Sequence, residues 1–198
     1  MKPVIYTVGH STHKAFYFLK LLQQRNVDTV IDVRSIAASR FQPQYIKSRL
    51  GAYLAANDIR YFHLHEEFGA RQKDTSLLDE IGRVDFEKVR ARPEFRRGVE
   101  FLREETKNGH NLALMCAEAD PLSCHRFSMI SVDLKNDFHI RHILKDGSLI
   151  ENEELEKLLL KKFKRKLPKV SLFEQFDLSE RLEQAYRLMN DRIGYKIG

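Results

Sequence analysis

Short β-rich runs alternate with helix-period segments through the first 150 residues of this 198-residue chain, and that alternation restricts the fold more than any other feature. "PVIYTV" (3 to 8), "TVIDV" (29 to 33), "IRYFHL" (59 to 64), "NLALMC" (111 to 116) and "IRHIL" (140 to 144) read as strands. Between them, apolar residues recur at helical spacing over 13 to 25 (Phe16, Leu19, Leu22), 44 to 56, 95 to 107 and 125 to 136. Strands separated by helices of this length predict an α/β fold: a single open, mostly parallel sheet with helices on both faces. A side-chain oxygen of Ser11 or Thr12 is expected to cap the first helix, and Asn108 with Gly109 to end the one over 95 to 107.

Residues 69 to 93 are too long and too polar for an ordinary connection, which leaves a lid or an exposed excursion with a short helix. After "DGS" (146 to 148), residues 149 to 166 predict a charged amphipathic helix ending in the basic run "KKFKRK" (161 to 166). Pro168 breaks it, and one more helix is expected over 171 to 191, packed on the domain or on a partner. The chain therefore divides into an α/β domain, 1–148, and a helical basic C-terminal extension, 149–198, through which a homo-oligomer could form.

Hydrophobic residues at 42% and charged residues at 31% are those of a soluble globular protein. The N-terminal apolar run is too short for a signal peptide, and nowhere do 18 apolar residues follow one another, so a cytoplasmic protein with no membrane partner is expected. The formal charge of +6 favours anionic partners, with a nucleotide or nucleic acid as the expected class. No motif names a cofactor: "GHS" holds one glycine, too few for a phosphate loop.

The dense polar clusters all fall just past the C-terminal ends of the strands: "GHST" (9 to 12), "DVRSIAASR" (32 to 40), "HLHEEFGAR" (63 to 71), "CAEADPLSCHR" (116 to 126) and "KDGS" (145 to 148). Open α/β sheets bind ligands in the crevice outside those ends, so the five clusters are expected to converge. His10, Ser11, Arg34, Ser39, Arg40, Cys116, His125 and Arg126 are the expected binding residues, the guanidiniums matching phosphate oxygens. Glu118 and Asp32 are candidate general acids or bases. Cys116 closes an apolar strand and reads as a small buried hydrophobe. Cys124, at a helix start beside His125 and Arg126, reads as the better nucleophile. The spacing C-x7-C-H matches no structural zinc pattern, so no metal site is expected.

Taken in order, "TVGHST", "IDVRSIAASR", "FHLHEEFGA", "LALMCAEADPLSCHR" and "RHILKDG" resemble the family catalogued as domain of unknown function 488. Its members share a Gly-His-Ser start, an Asp-Val-Arg segment ending in Ser-Arg, and a Cys-x-Glu-x-x-Pro-x-x-Cys-His-Arg motif. The resemblance covers about residues 4 to 148. Two departures are visible: Ala37 stands where the family usually has proline, and Ala70 follows Gly69 where a Gly-Gly pair is common. The resemblance implies a site at Arg34, Ser39, Arg40, Cys116, Glu118, Cys124, His125 and Arg126, but no reaction.

Three functions compete on these residues. The first is binding of, or action on, a phosphate-containing ligand in a basic crevice. The second is thiol chemistry, an enzyme or redox sensor using Cys124 and Cys116. The strand-Cys-loop-helix order is similar to rhodanese-like and phosphatase sites, although Leu122 stands where those have arginine. The third is a non-catalytic nucleic-acid or protein-binding module using residues 161 to 166.

Overall fold

A computed structural model describes residues 2–168 and 178–197. The strands are β1 (Val4–Gly9), β2 (Thr29–Asp32), β3 (Arg60–His63), β4 (Leu112–Cys116), β5 (His139–Ile143) and β6 (Leu149–Glu151), in one sheet ordered β3-β2-β4-β1-β5-β6. The first five are parallel; β6 runs antiparallel on the edge of β5. The α/β class and the five expected strands are therefore present.

Alternation along β4 feeds two cores, because successive side chains leave opposite faces of a strand. Ala113 and Met115 pack against Phe18 and Leu22 of α1 (Ala15–Gln23) and Leu50 and Leu54 of α2 (Lys47–Ala55). α3 (His65–Phe68) is a single turn after β3. Leu112, Leu114 and Cys116 face the other core, with Phe86 and Val89 of α4 (Phe86–Ala91) and Phe95, Val99 and Leu102 of α5 (Pro93–Lys107). Met129, Ile130 and Leu134 complete it from a π-helical stretch, Arg126–Ser131, that runs into α6 (Val132–Leu134). Each such fully buried side chain contributes roughly 1.5–3 kcal/mol.

This layering fixes where a ligand can sit. The connection leaving β1 crosses one face through α1, and the connection leaving β4 crosses the other through α6. Because β1 and β4 are neighbours, with Gly9 opposite Cys116, their C-terminal ends flank the point where the winding direction reverses. Such switch points leave a crevice between diverging loops.

Three local expectations are corrected. The first helix begins at Ala15 behind Lys14, with no side-chain cap. Ser11 stands three residues before that N-cap, in a left-handed turn at φ 48° with its N–H on the Ala117 carbonyl at 2.9 Å. Residues 149 to 166 are not one helix: Gly147, at φ 87°, turns the chain back so that 149–151 pair with β5. α7 (Asn152–Phe163) follows behind a Glu151/Glu154 capping box. "KDGS" is therefore a hairpin turn.

Residues 69–93 form a packed excursion, with Leu77, Val84, Phe86 and Val89 buried. α7 and α8 (Leu178–Ile193) fold onto Phe127 through Leu155, Leu159, Tyr186 and Met189. Residues 169–177, which include the start of the helix expected over 171 to 191, lie outside the described residues. In the basic run, Phe163 is buried while Lys161, Lys162, Lys164, Arg165 and Lys166 are exposed, a solvated helix face. Among the described residues no helix is long and apolar enough to cross a membrane.

Candidate functional site

At the β1/β4 switch point lies a cleft of about 580 Å³ that collects four of the five polar clusters. His10 comes from the end of β1, Arg34 and Ser39 from the loop after β2, and Arg71 from the loop after α3. Cys116, Glu118, Cys124 and His125 come from the end of β4 and the turn beyond it. Lys145 and Asp146, from the fifth cluster, line a separate depression.

Gly9 lets these loops meet. A methyl group there would lie 1.9 Å from the Glu118 carbonyl oxygen and 2.9 Å from Arg126 Nη1, so only glycine allows the β4 loop to cross β1 at this height. Arg126 fixes that loop from below. Its side chain is fully buried and donates from Nη1 to the Glu118 carbonyl at 2.6 Å and from Nη2 to the Ala119 carbonyl at 3.1 Å. Nε has no partner, and no carboxylate pairs with the guanidinium among the described residues. A buried cation without a counter-ion is costly, so an anion in reach of it is stabilised.

Arg126 is one of the positive charges acting on the Cys116 thiol. The turn Pro121–Ser123, begun by Asp120 accepting from the Leu122 N–H at 2.9 Å, folds Cys124 and His125 back against the end of β4. His125 Nε2–H donates to the Val33 carbonyl at 3.1 Å, which leaves Nδ1 facing Cys116 Sγ at 3.7 Å and Cys124 Sγ at 3.8 Å. The Cys124 thiol hydrogen-bonds Cys116 and, against the cost of burial, His125 and Arg126 add positive charge, so the Cys116 thiol is held well below the usual range. Burial and the neighbouring Cys116 sulfur push the Cys124 thiol up. Burial alone would discharge His125, but the Cys116 thiolate outweighs it and keeps the imidazole more basic than usual. The sequence puts the lower thiol pKa at Cys124, whereas the neighbours of Cys116 pull in the other direction.

The model of the family described as domain of unknown function DUF488 matches residues 13–131. The chain belongs to this DUF488 family. Comparison with curated proteins and with solved structures returns no match. In this DUF488 chain the matched span runs from just before α1 to the end of the π-helical stretch. It includes Arg34 and both cysteines but not His10 or the C-terminal helix.

The remaining expected site residues have other partners. Asp32 is fully buried and accepts from Arg34 Nε at 2.9 Å, Arg34 Nη2 at 2.6 Å and the Tyr61 hydroxyl at 2.6 Å, and it does not line the cleft. Burial opposes the Arg34 charge, but the bonds and charge of Asp32 hold its pKa above the ordinary arginine value. Arg34 also donates to the Tyr45 carbonyl and, from Nη1, to His10 Nε2 at 3.2 Å; a single Nη1 N–H is left for the cleft. His10 donates from Nδ1 to the Ser11 carbonyl at 2.9 Å and stacks on Tyr45 at 4.0 Å. Burial, then the Arg34 charge, lowers its pKa to about 4, so it is neutral at pH 7. Ser39 Oγ accepts from the Gln42 N–H, Arg40 is exposed outside the cleft, and Glu118 stands exposed on its wall.

Cys116, Cys124 and His125 bring two sulfurs and a ring nitrogen within 4.8 Å of one another, the one such group found among the described residues. The C-x7-C-H spacing hid this, because the Pro121–Ser123 turn that closes it is a feature of the fold rather than a ligand spacing. Buried Arg126, which no carboxylate pairs among the described residues, adds positive charge near Cys116, which favours a thiolate over an added cation. Sequence reasoning also missed Ile193 and Tyr195, which close the outer wall of the cleft from the far end of the chain. No local motif marks them.

Proposed function

We propose that this DUF488 protein acts through thiol chemistry in the cleft, with Cys116 as the nucleophilic thiolate, His125 as its imidazolium partner and Cys124 as the second, resolving sulfur. The observation that carries the reading is the position of Cys116 Sγ, 3.7 Å from His125 Nδ1. It is supported by a fully buried arginine whose own contacts are to carbonyls. Thiolates are far better nucleophiles than thiols, and a second sulfur in reach suits thiol–disulfide exchange.

Phosphate binding by Arg34, Arg40 and Arg126, the other reading of the same residues, has less to draw on. Arg126 donates to two loop carbonyls and does not line the cleft, Arg34 retains one free N–H, and Arg40 lies outside the cleft. Both cysteines are free thiols, which suits a reducing, cytoplasmic setting. The test is site-resolved alkylation of the full chain, followed by peptide mass spectrometry. Cys116 is expected to react faster than Cys124 at pH 7, and Cys116→Ser to remove that reactivity. Equal, slow labelling of both cysteines would sink the reading.

A further inference from the structure

The cleft at Cys116 is bordered by a second cavity of about 660 Å³. Ser35, Ile36, Arg71 and Tyr195 line both, so they form the wall the two share, and each cavity is in the size range of a small-molecule site. In the second cavity Glu94 is taken by Arg92 at 3.1 Å and Arg97 at 3.5 Å. Arg71 differs. Its backbone N–H is anchored on Ser35 Oγ at 2.8 Å, while its exposed guanidinium lies 5.2 Å from the Tyr195 ring centre with no hydrogen-bond acceptor among the described residues.

Tyr195 is held from behind. Its carbonyl accepts from the Val84 N–H at 2.8 Å, and the next turn is tied by the Ile197 N–H to the Gly82 carbonyl at 3.0 Å. Tyr195 remains 40% exposed and lines both cavities. An aromatic ring with a guanidinium over it, whose N–H groups have no acceptor among the described residues, offers two complementary contacts: stacking for a planar group and a fork of N–H donors for an oxyanion.

We infer that Arg71 and Tyr195 are the substrate-recognition pair of the thiol site, selecting an anion that carries an aromatic or heteroaromatic ring and presents its reacting sulfur to Cys116. The inference rests on the thiol reading. It assigns selectivity to a tail residue outside the matched span of 13–131, with the chemistry inside it.

An aryl disulfide probe gives the chemistry a defined balance. The Cys116 thiolate attacks one probe sulfur, the probe S–S bond breaks, and one aryl thiolate leaves. Cys124, losing its proton to water, then attacks Cys116 Sγ and displaces the second aryl thiolate. The probe gains two electrons and the cysteine pair becomes a disulfide.

The experiment compares two probes on the full chain, dianionic 5,5′-dithiobis(2-nitrobenzoate) and neutral 4,4′-dithiodipyridine, with modification at Cys116 read by quenched mass spectrometry. Arg71→Ala is expected to slow the anionic probe about tenfold while leaving the neutral one within about twofold, and Arg71→Lys to restore most of the difference. Tyr195→Leu, which keeps an apolar side chain in the wall, is expected to slow both probes. Reaction at Cys116 with the same probe ratio in Arg71→Ala as in wild type overturns the recognition pair alone. A wild-type Cys116 that reacts with neither probe overturns the thiol reading and this inference with it.

Discussion

Cys116 Sγ lies 3.7 Å from His125 Nδ1, and His125 is held in that orientation by the Val33 carbonyl, 3.1 Å from its other ring nitrogen. The groups around the sulfur are the Cys124 thiol, His125, Arg126 and the edge of His10. With the thiol pKa depressed, the thiolate persists as pH falls and is lost only below the ordinary thiol range of about 8.5. Iodoacetamide labelling of Cys116 is therefore expected to rise at lower pH than that of Cys124. His125→Gln should move the Cys116 profile upward by about one pH unit or more. Two cysteines titrating together near the ordinary value would contradict the pairing.

Asp32 and Arg34 form a bidentate pair below the cleft floor, 0% and 5% exposed, with Tyr61 as a third donor to the carboxylate. Removing one partner of such a pair leaves an uncompensated buried charge. Asp32→Asn is expected to cost about 3–5 kcal/mol of stability, measured by urea denaturation. If Asp32 were instead an acid or base, the variant would keep its midpoint and lose only reactivity, and that result would reject the structural role.

Gly9 sits where the β4 loop crosses β1, and a Cβ there would overlap the Glu118 carbonyl oxygen at 1.9 Å. Both atoms at that contact are backbone-fixed, so neither can rotate away. Gly9→Ala is expected to destabilise by about 3 kcal/mol and to slow Cys116 alkylation, because the loop carrying Glu118 must shift off Arg126. A variant that matches wild type in denaturation midpoint and labelling rate would show that the close approach is not required.

The parallel strands and four of the site clusters were legible in the sequence because they follow from local periodicity and from one rule about strand ends. The failures share a different cause. Leu149–Glu151 reads as helix from its charges, yet pairing with β5 across the Gly147 turn makes it an edge strand, a non-local gain that composition does not register. The order of the two thiols depends on a turn that folds nine residues back on themselves and on a buried arginine whose lack of a carboxylate is visible only in three dimensions. Ala37 keeps its carbonyl as the acceptor for the Lys47 N–H at 2.9 Å at the start of α2. Tyr195 was invisible for the simplest reason: it reaches the cleft from more than a hundred residues beyond the other cluster at its wall, Arg71.

His10 and His142 are both buried as neutral rings, which sets the response of the fold to acid. His142 accepts from the Thr7 hydroxyl at 2.8 Å through Nδ1 and donates from Nε2 to Asn152 Oδ1 at 3.2 Å, and burial, then Arg126, lowers its pKa to about 3. His10 is lowered to about 4, from an unfolded value of 6.5. A folded pKa below the unfolded one means that the unfolded chain takes up protons first, so stability is intact above 6.5 and falls as pH drops through the folded values. By pH 4 each ring should withdraw about 3 kcal/mol, a large share of ordinary domain stability. His142→Gln, which retains a donor and an acceptor but cannot titrate, is expected to be less stable than wild type at pH 7 yet to lose about 3 kcal/mol less between pH 7 and pH 4 in urea denaturation. Parallel stability curves for the two proteins across that range would mean that His142 is not buried as the neutral ring.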